Sequence, residues 1–387
     1  MGVEVNAQPI RVANIIEDGR LAGPQIRIVM AAVVMNEQVD TTVIMPVDNS
    51  EAFQQCCKDG EVEYVTFAIS RITKEWSMAL RYFFFSFYEI IQIALYLNKN
   101  HFDIVHVSGG AWQFKGAIAG RLAGVKVLWH LNDTFMPLFI RRVFAVISHF
   151  SDGFIYSSKR SQKYYESLVP TGKPWRVIQA PVDVDRFDPA QYYMGDYELI
   201  GKWSGHFVIG TVSNINPIKG LEVFIKAALN VNMSVPNCQF VVVGPVYRSQ
   251  ERYFKSLQKL CRKLGVNNIE FIGGRADVRS LLKCFDVYVC CSHYESSPMS
   301  VWEAMAMGTP VVSTDVGDVS LYVKDAYAGY IVNNGDSVGL ADKLVSLAGD
   351  SRTQVKFGER ARDIAANELN VSKCAELHLA AYKMINS

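Results

Sequence analysis

Asp286-Val-Tyr-Val-Cys-Cys-Ser-His-Tyr-Glu295-Ser-Ser-Pro-Met-Ser-Val-Trp-Glu303-Ala-Met-Ala-Met-Gly308-Thr-Pro-Val-Val-Ser-Thr314 reads as strand, loop, helix and strand. Asp286 to Cys291 is a short apolar run fit for a buried strand, Val301 to Met307 predicts a helix closed by Gly308, and Pro310 to Thr314 predicts a second buried strand. The right-handed crossover of such a βαβ unit puts its first loop at the carboxyl edge of a parallel sheet, where open α/β folds bind ligands. Glu295 falls in that loop and Glu303 in the first turn or so of the helix, with seven residues between them.

Each part of the segment suits a different chemical group. The free N–H groups around Ser297 to Val301, with the positive end of the helix dipole, suit a diphosphate. A carboxylate would repel phosphate. Glu303 therefore fits a ribose diol and Glu295 the hydroxyls of a transferred sugar, in charge-assisted contacts of about 1.5–3 kcal/mol each. Spacing alone leaves a plainer reading open, in which Glu303 serves the helix dipole and Glu295 is a solvated loop residue. Upstream, Val212-Ser-Asn-Ile-Asn-Pro-Ile-Lys-Gly220 follows another predicted strand, and Lys219 near a helix start is placed to neutralise a departing diphosphate.

Strand-like runs alternate with helical stretches along the whole chain: Ile10–Ile16, Thr41–Met45, Ile104–Val107, Val125–His130 and Gly153–Tyr156, then a second series from Phe207–Val212 through Gln239–Val243 and Ile269–Ile272. The expectation is an α/β protein with two tandem Rossmann-like domains. Prolines, acids and tyrosines between Val182 and His206 break the periodicity, so the domains are expected at residues 1–185 and 186–368, with a terminal helix at 369–387.

With 387 residues, 50% hydrophobic and 20% charged, the chain can fill two cores, and a net charge of +1 gives no general attraction for nucleic acid. Charge is unevenly placed: residues 1–69 hold four Lys/Arg against ten Asp/Glu, residues 70–182 fourteen against six. The eight cysteines lack metal-binding spacing and read as reduced, buried side chains, and the start Met1-Gly-Val-Glu-Val-Asn-Ala-Gln-Pro-Ile10 lacks the features of a signal peptide. A cytoplasmic location is expected. Trp76 to Leu97 is the longest apolar segment, interrupted by Arg81, Glu89 and Gln92, which disfavours a spanning helix. It fits a core helix or one lying in a membrane interface, the second helped by nearby Arg141, Arg142, Lys159, Arg160 and Lys163.

Other candidates are less specific. Asp18-Gly-Arg-Leu-Ala-Gly23-Pro24-Gln25 supplies a glycine-containing turn before a helix, without a dinucleotide or nucleoside-triphosphate fingerprint, and suits either a ligand loop or a plain βα turn. His130 opens His-Leu-Asn-Asp-Thr134 at the end of an apolar strand, as a catalytic group at the carboxyl edge or as a core or capping residue, whereas His106 reads as core. Asp183-Val-Asp185 matches a metal-holding D-x-D pattern but sits in the expected linker.

In order and spacing, the block from Ile269 to Val323 resembles the retaining glycosyltransferase family numbered four, whose fold is called GT-B, as in bacterial cell-surface polysaccharide and lipopolysaccharide synthesis. Weaker matches are Gly23-Pro24-Gln25, Asp103-Ile-Val-His-Val107, His130 to Thr134, Val177 to Pro189 and Asn216-Pro-Ile-Lys-Gly220. The resemblance implies two domains facing a central cleft, with the donor on the second and the acceptor on the first. It implies that Lys219 holds the diphosphate, Glu303 the ribose and Glu295 the sugar, that Ser296, Ser297, Pro298 and Met299 cover the phosphates, and that Gly23, Pro24 and Gln25 line the acceptor and diphosphate side. Lys219, Glu295 and His130 are then the candidate catalytic residues. It further implies retention of configuration, no metal and no cofactor beyond the nucleotide sugar, a saccharide or lipid-linked acceptor, peripheral membrane contact, and a final helix crossing back onto the first domain. Two positions depart from the pattern: Asn214 stands where an arginine is usual, leaving Arg275 as one substitute cation, and Pro181 where glycine is usual. The missing arginine keeps a non-catalytic binding subunit open, and the shared two-domain fold keeps open a sugar-nucleotide epimerase.

Overall fold

The computed structural model describes residues 8–71, 76–134, 136–191, 193 and 197–386. Residues 1–7, read above against a signal peptide, and residues 192 and 194–196 of the boundary segment lie outside these. The chain forms two compact units, one made of residues up to Pro181 together with those from Val371 onward, the other of Val182–Asn370.

The first unit holds a seven-stranded parallel sheet of β1 (Ile10–Ile15), β2 (Val39–Pro46), β3 (Glu63–Phe67), β4 (Ile104–Val107), β5 (Lys126–Leu131), β6 (Gly153–Tyr156) and β7 (Trp175–Val177), in the order β3-β2-β1-β4-β5-β6-β7. The second holds β8 (Phe207–Val212), β9 (Cys238–Val243), β10 (Ile269–Gly273), β11 (Val287–Cys290), β12 (Val311–Thr314) and β13 (Gly329–Val332), ordered β10-β9-β8-β11-β12-β13. Every residue of β4, β6, β11 and β12 is buried. That is why these strands read as unbroken apolar runs: a parallel sheet covered by helices on both faces has no wet side to encode.

Both sheets reverse their order once, between β1 and β4 and between β8 and β11. Each reversal opens a crevice at the carboxyl ends of the two strands, because the loops there turn to opposite faces. In the second unit Val287 pairs with Ile209 and Tyr288 with Gly210, so the loops after β8 and β11 leave the sheet side by side. The helix after β11 runs Met299–Ala306, two residues earlier than its sequence suggests, and ends where Gly308 takes the left-handed conformation at φ +71°.

In the first unit, helices Gly23–Met35, Glu51–Asp59 and Val371–Asn386 cover one sheet face, and Trp76–Asn100, Phe114–Leu122 and Leu138–Ile147 the other. The terminal helix buries Cys374, Ala375, Ala381, Tyr382 and Ile385 against Val12, Ile104, Leu128 and Ile155. At the neck of the second unit, Val182 N donates to Leu369 O at 2.8 Å and Val182 pairs with Asn370. The long helix at Trp76–Asn100 divides by face: Ile90, Ile93, Ala94 and Leu97 enter the core, while Phe87, Tyr88 and Leu95 are exposed. Among the described residues no helix is long and apolar enough to cross a membrane.

Candidate functional site

The crevice between β8 and β11 is built by two loops held together. After β8, Asn216 caps the single 3-10 turn Pro217–Lys219 by accepting from Ile218 N, and Gly220 then reverses the chain at φ +61° into the helix Leu221–Asn232. A Cβ on Gly220 would lie 2.1 Å from Cys291 O, so glycine is required by both conformation and contact. His293 N donates to Ile218 O at 2.7 Å, which ties the second loop to the first.

This tie brings Lys219 and Glu295 together. Lys219 Nζ lies 2.5 Å from Glu295 Oε1, which also accepts from Ser292 Oγ at 2.9 Å. Burial works against the Lys219 charge, but Glu295 outweighs it and holds the ammonium above its ordinary value. Behind the pair, the His293 ring bridges Glu222 at 2.9 Å and Asn334 at 2.6 Å, and Tyr253 donates to Glu222 at 2.5 Å. Gly317, at φ +53°, brings the loop after β12 so close that a Cβ would meet Ser296 O at 2.4 Å.

The helix Met299–Ala306 starts here with Pro298 as its N-cap and no side chain capping it. Its first N–H groups therefore face the crevice end with their partial positive charge unspent on protein side chains. Ser297 accepts from Trp302 Nε1 at 3.2 Å, and Ser300 from Tyr288 at 2.8 Å. Glu303 accepts no hydrogen bond among the described residues, and burial pushes its carboxyl up to about 7, partly offset by Arg186. A desolvated carboxylate without a donor is suited to hydroxyl donors from a ligand. The second unit thus gathers Lys219, Glu295, Ser296 to Met299 and Glu303 around one crevice edge. Asn214 sits in the same β8 loop, half-buried, between Ser213, whose N–H reaches Val243 O at 2.8 Å, and Ile215, whose N–H reaches Pro245 O at 3.0 Å. Arg275 follows β10, two strands away from β8, and its Nη1 bonds Ile272 O at 2.5 Å and Gly274 O at 3.2 Å.

In the first unit His130 is the last residue but one of β5, and its imidazole is fully buried in a polar chain, which matches the core reading that its sequence left open. Arg27 Nη1 donates to His130 Nε2 at 2.9 Å, which leaves the proton on Nδ1, 3.4 Å from His106 Nε2; His106 Nδ1 then faces Tyr382 Oη at 2.8 Å. His378 Nδ1 donates to Cys374 O at 2.8 Å. Burial and the Arg27 charge hold His106 and His130 well below the ordinary imidazole value and His378 down to about 3. His106, His130 and His378 place donor atoms within 4.8 Å of one another. Their engaged nitrogens and the neighbouring guanidinium, itself pulled down to about 10 by burial, oppose a bound cation.

Gly23 and Pro24 form the first turn of a helix, and Gln25 is buried, its Nε2 donating to Asp18 O at 2.7 Å. Asp183 Oδ1 accepts from Asp185 N and Arg186 N at 3.2 and 2.9 Å, so this pair shapes a turn. Sequence reasoning missed a second group at the carboxyl end of β1. Glu17 is buried, accepts from Lys115 N at 2.9 Å and Tyr82 Oη at 3.2 Å, and burial pushes its carboxyl up to about 7. Lys115 pairs with Glu89, and Glu17, Asp18, Asp48, Ser70 and Arg71 line a cavity of about 270 Å³. Asp18 stood out in the sequence only as part of a turn, and Glu89 only as a break in an apolar segment.

Two family models match, Glycosyltransferase Family 4 over residues 31–186 and Glycosyl transferases group 1 over residues 200–364. The chain is 26% identical over 298 residues to the UDP-Gal:alpha-D-GlcNAc-diphosphoundecaprenol alpha-1,3-galactosyltransferase of Escherichia coli, covering 73% of this chain and 76% of that one. It is 29% identical over 125 residues to the lipopolysaccharide core biosynthesis glycosyltransferase LpsE of Rhizobium meliloti, an alignment spanning 32% of this chain and 37% of that relative. Among solved structures, Anabaena Alr3699/HepE in complex with UDP-glucose superposes with a TM-score of 0.81 at 20% identity, covering 96% of this chain and 98% of that one, which shows a shared fold. With one glycosyltransferase model on each unit and the two-sheet GT-B fold, the chain belongs to glycosyltransferase family 4.

Proposed function

We propose that this glycosyltransferase moves a sugar, with retention of configuration and without a metal, from a uridine diphosphate sugar to a hydroxyl of a saccharide on a lipid-linked precursor of cell-surface polysaccharide. The observation that carries the reading is the Lys219–Glu295 pair beside an uncapped helix start and an unpartnered Glu303. A diphosphate fits the N–H groups at Ser296 to Met299, with Lys219 neutralising the charge that grows on it as the sugar carbon–oxygen bond breaks. Glu303 accepts from the ribose hydroxyls and Glu295 from those of the sugar. The acceptor oxygen bonds to the sugar carbon on the face the diphosphate leaves, and its proton passes to the departing phosphate oxygen. Uridine is favoured by the names of the Escherichia coli relative and the Anabaena complex, and a lipid-linked acceptor by the first of these. On the first unit, the carboxylates and Ser70 around the Glu17 cavity offer acceptors for saccharide hydroxyls.

Thermal shift with UDP, GDP, ADP and dTDP tests the donor side, since a ligand bound only by the folded state raises its stability. UDP should give the largest rise, and Glu303→Gln should reduce it. Absence of a response to all four, with no nucleoside diphosphate released in the presence of saccharide or lipid-linked acceptors, would overturn the proposal.

A further inference from the structure

Helices Trp76–Asn100 and Leu138–Ile147 cover the same face of the first sheet, with Phe114–Leu122 between them. On the shorter helix, Ile140 and Phe144 point into the core, yet Leu138 and Phe139 are each 74% exposed and Val146 is 68% exposed. Leu138, Arg142 and Val146 stand four residues apart and so share one outward stripe. On the longer helix Phe87 and Leu95 are 76% and 65% exposed, Leu95 on the side opposite Ile90, Ile93 and Leu97. A helix face turned to water ordinarily carries charged and polar side chains; here two helices of one layer turn apolar ones outward. The flanking charge has one sign: residues 134–163 contain Arg141, Arg142, Lys159, Arg160 and Lys163 against the single acid Asp152. Arg141, Arg142 and Lys163 are exposed.

We propose that this helical face docks on a lipid bilayer containing anionic phospholipid, with Leu138, Phe139, Val146 and Phe87 entering the headgroup boundary and Arg141 and Arg142 meeting lipid phosphates. Apolar side chains on an outward stripe, with five cations to one acid in the flanking segment, match the combination that holds a helix in an anionic interface. The docking does not depend on which sugar is transferred, and it is measured without turnover, so its failure leaves the donor reading intact.

The test is flotation of the full chain with vesicles of phosphatidylcholine alone or mixed with phosphatidylglycerol. Binding is expected to the mixed vesicles and to fall at high salt. Arg141→Gln with Arg142→Gln should weaken it on the order of 25-fold, from about fivefold per charge (about 1 kcal/mol each). Phe139→Ser should weaken it about tenfold or more. All three positions are exposed, and an unchanged melting temperature would verify the fold of each variant. No binding of the unaltered chain to mixed vesicles, or binding indifferent to these substitutions, overturns the proposal. So does a dimer in sedimentation velocity that Phe139→Ser dissociates while vesicles capture nothing.

Discussion

Glu303→Gln tests the donor site through two effects of opposite sign. Burial raises the Glu303 carboxyl from 4.5 to about 7, which at 1.36 kcal/mol per pH unit is about 3 kcal/mol against the ionised form in the free protein. Because the folded value is raised, the associated stability is complete below pH 4.5 and is lost as pH rises through 7. The neutral amide removes that loss. Glu303→Gln should therefore match the parent at pH 5 and exceed it at pH 8.5 by up to about 3 kcal/mol, roughly 6–12 °C in the melting of a unit of this size. Binding moves the other way. In the proposed site the carboxylate accepts both ribose hydroxyls with charge assistance, which the amide oxygen lacks, so nucleoside diphosphate affinity should drop by about 1.5–3 kcal/mol, or roughly 10- to 150-fold. For the parent, affinity should climb between pH 6 and 8 as the carboxyl ionises. Calorimetric titration of UDP and thermal melts across that range read both. A variant that is less stable at pH 8.5, or that binds as tightly as the parent, would refute the reasoning.

Three further outcomes follow from the geometry. Lys219→Ala removes the cation proposed to face the departing diphosphate and strands Glu295, so turnover measured by nucleoside diphosphate release should fall by about 10²–10³ while the protein stays folded. Gly220→Ala forces a side chain into a left-handed residue and against Cys291 O, and should destabilise the second unit by roughly 2–4 kcal/mol, read by thermal or urea melts. The three buried histidines of the first unit are held neutral, below their ordinary value, so their contribution is complete above pH 6.5 and is lost on acidification. Between pH 6 and 5 stability should fall, His378 contributing up to about 1.4 kcal/mol per pH unit, and His378→Gln should remove that part of the slope.

Much of the fold was legible because parallel strands covered on both faces are written as apolar runs, and Gly308 and Gly220 mark where chain direction changes. The grouping of the candidate site on the second unit was legible for a related reason. Lys219 lies just before a helix, and Glu295 and Glu303 lie on either side of another helix start, so local order places all three at one sheet edge. Their direct pairing was not, since it depends on the backbone tie between His293 and Ile218. For His130 two readings stayed open because it stands next to a polar run, while its surroundings come from Arg27, 103 positions away, and from the terminal helix. Lys115 with Glu89, and His106 with Tyr382 across 276 positions, carry no local signal at all. The segment from Trp76 to Leu97 held two readings because its two faces do different things.

The terminal helix has a consequence for the birth of the molecule. The second unit is one uninterrupted stretch, Val182–Asn370, inserted between the two pieces of the first. A ribosome that has finished the seven strands of the first sheet must still make the whole second unit before the residues that cover Val12, Ile104, Leu128 and Ile155 emerge. At about 5–20 residues per second that delay is roughly 10–40 s. The inserted unit has all its strands in hand and can fold during that interval, whereas the earlier one waits with part of an apolar sheet face uncovered. The order of completion thus reverses the order of synthesis, with the first sheet covered only once Val371–Asn386 is made.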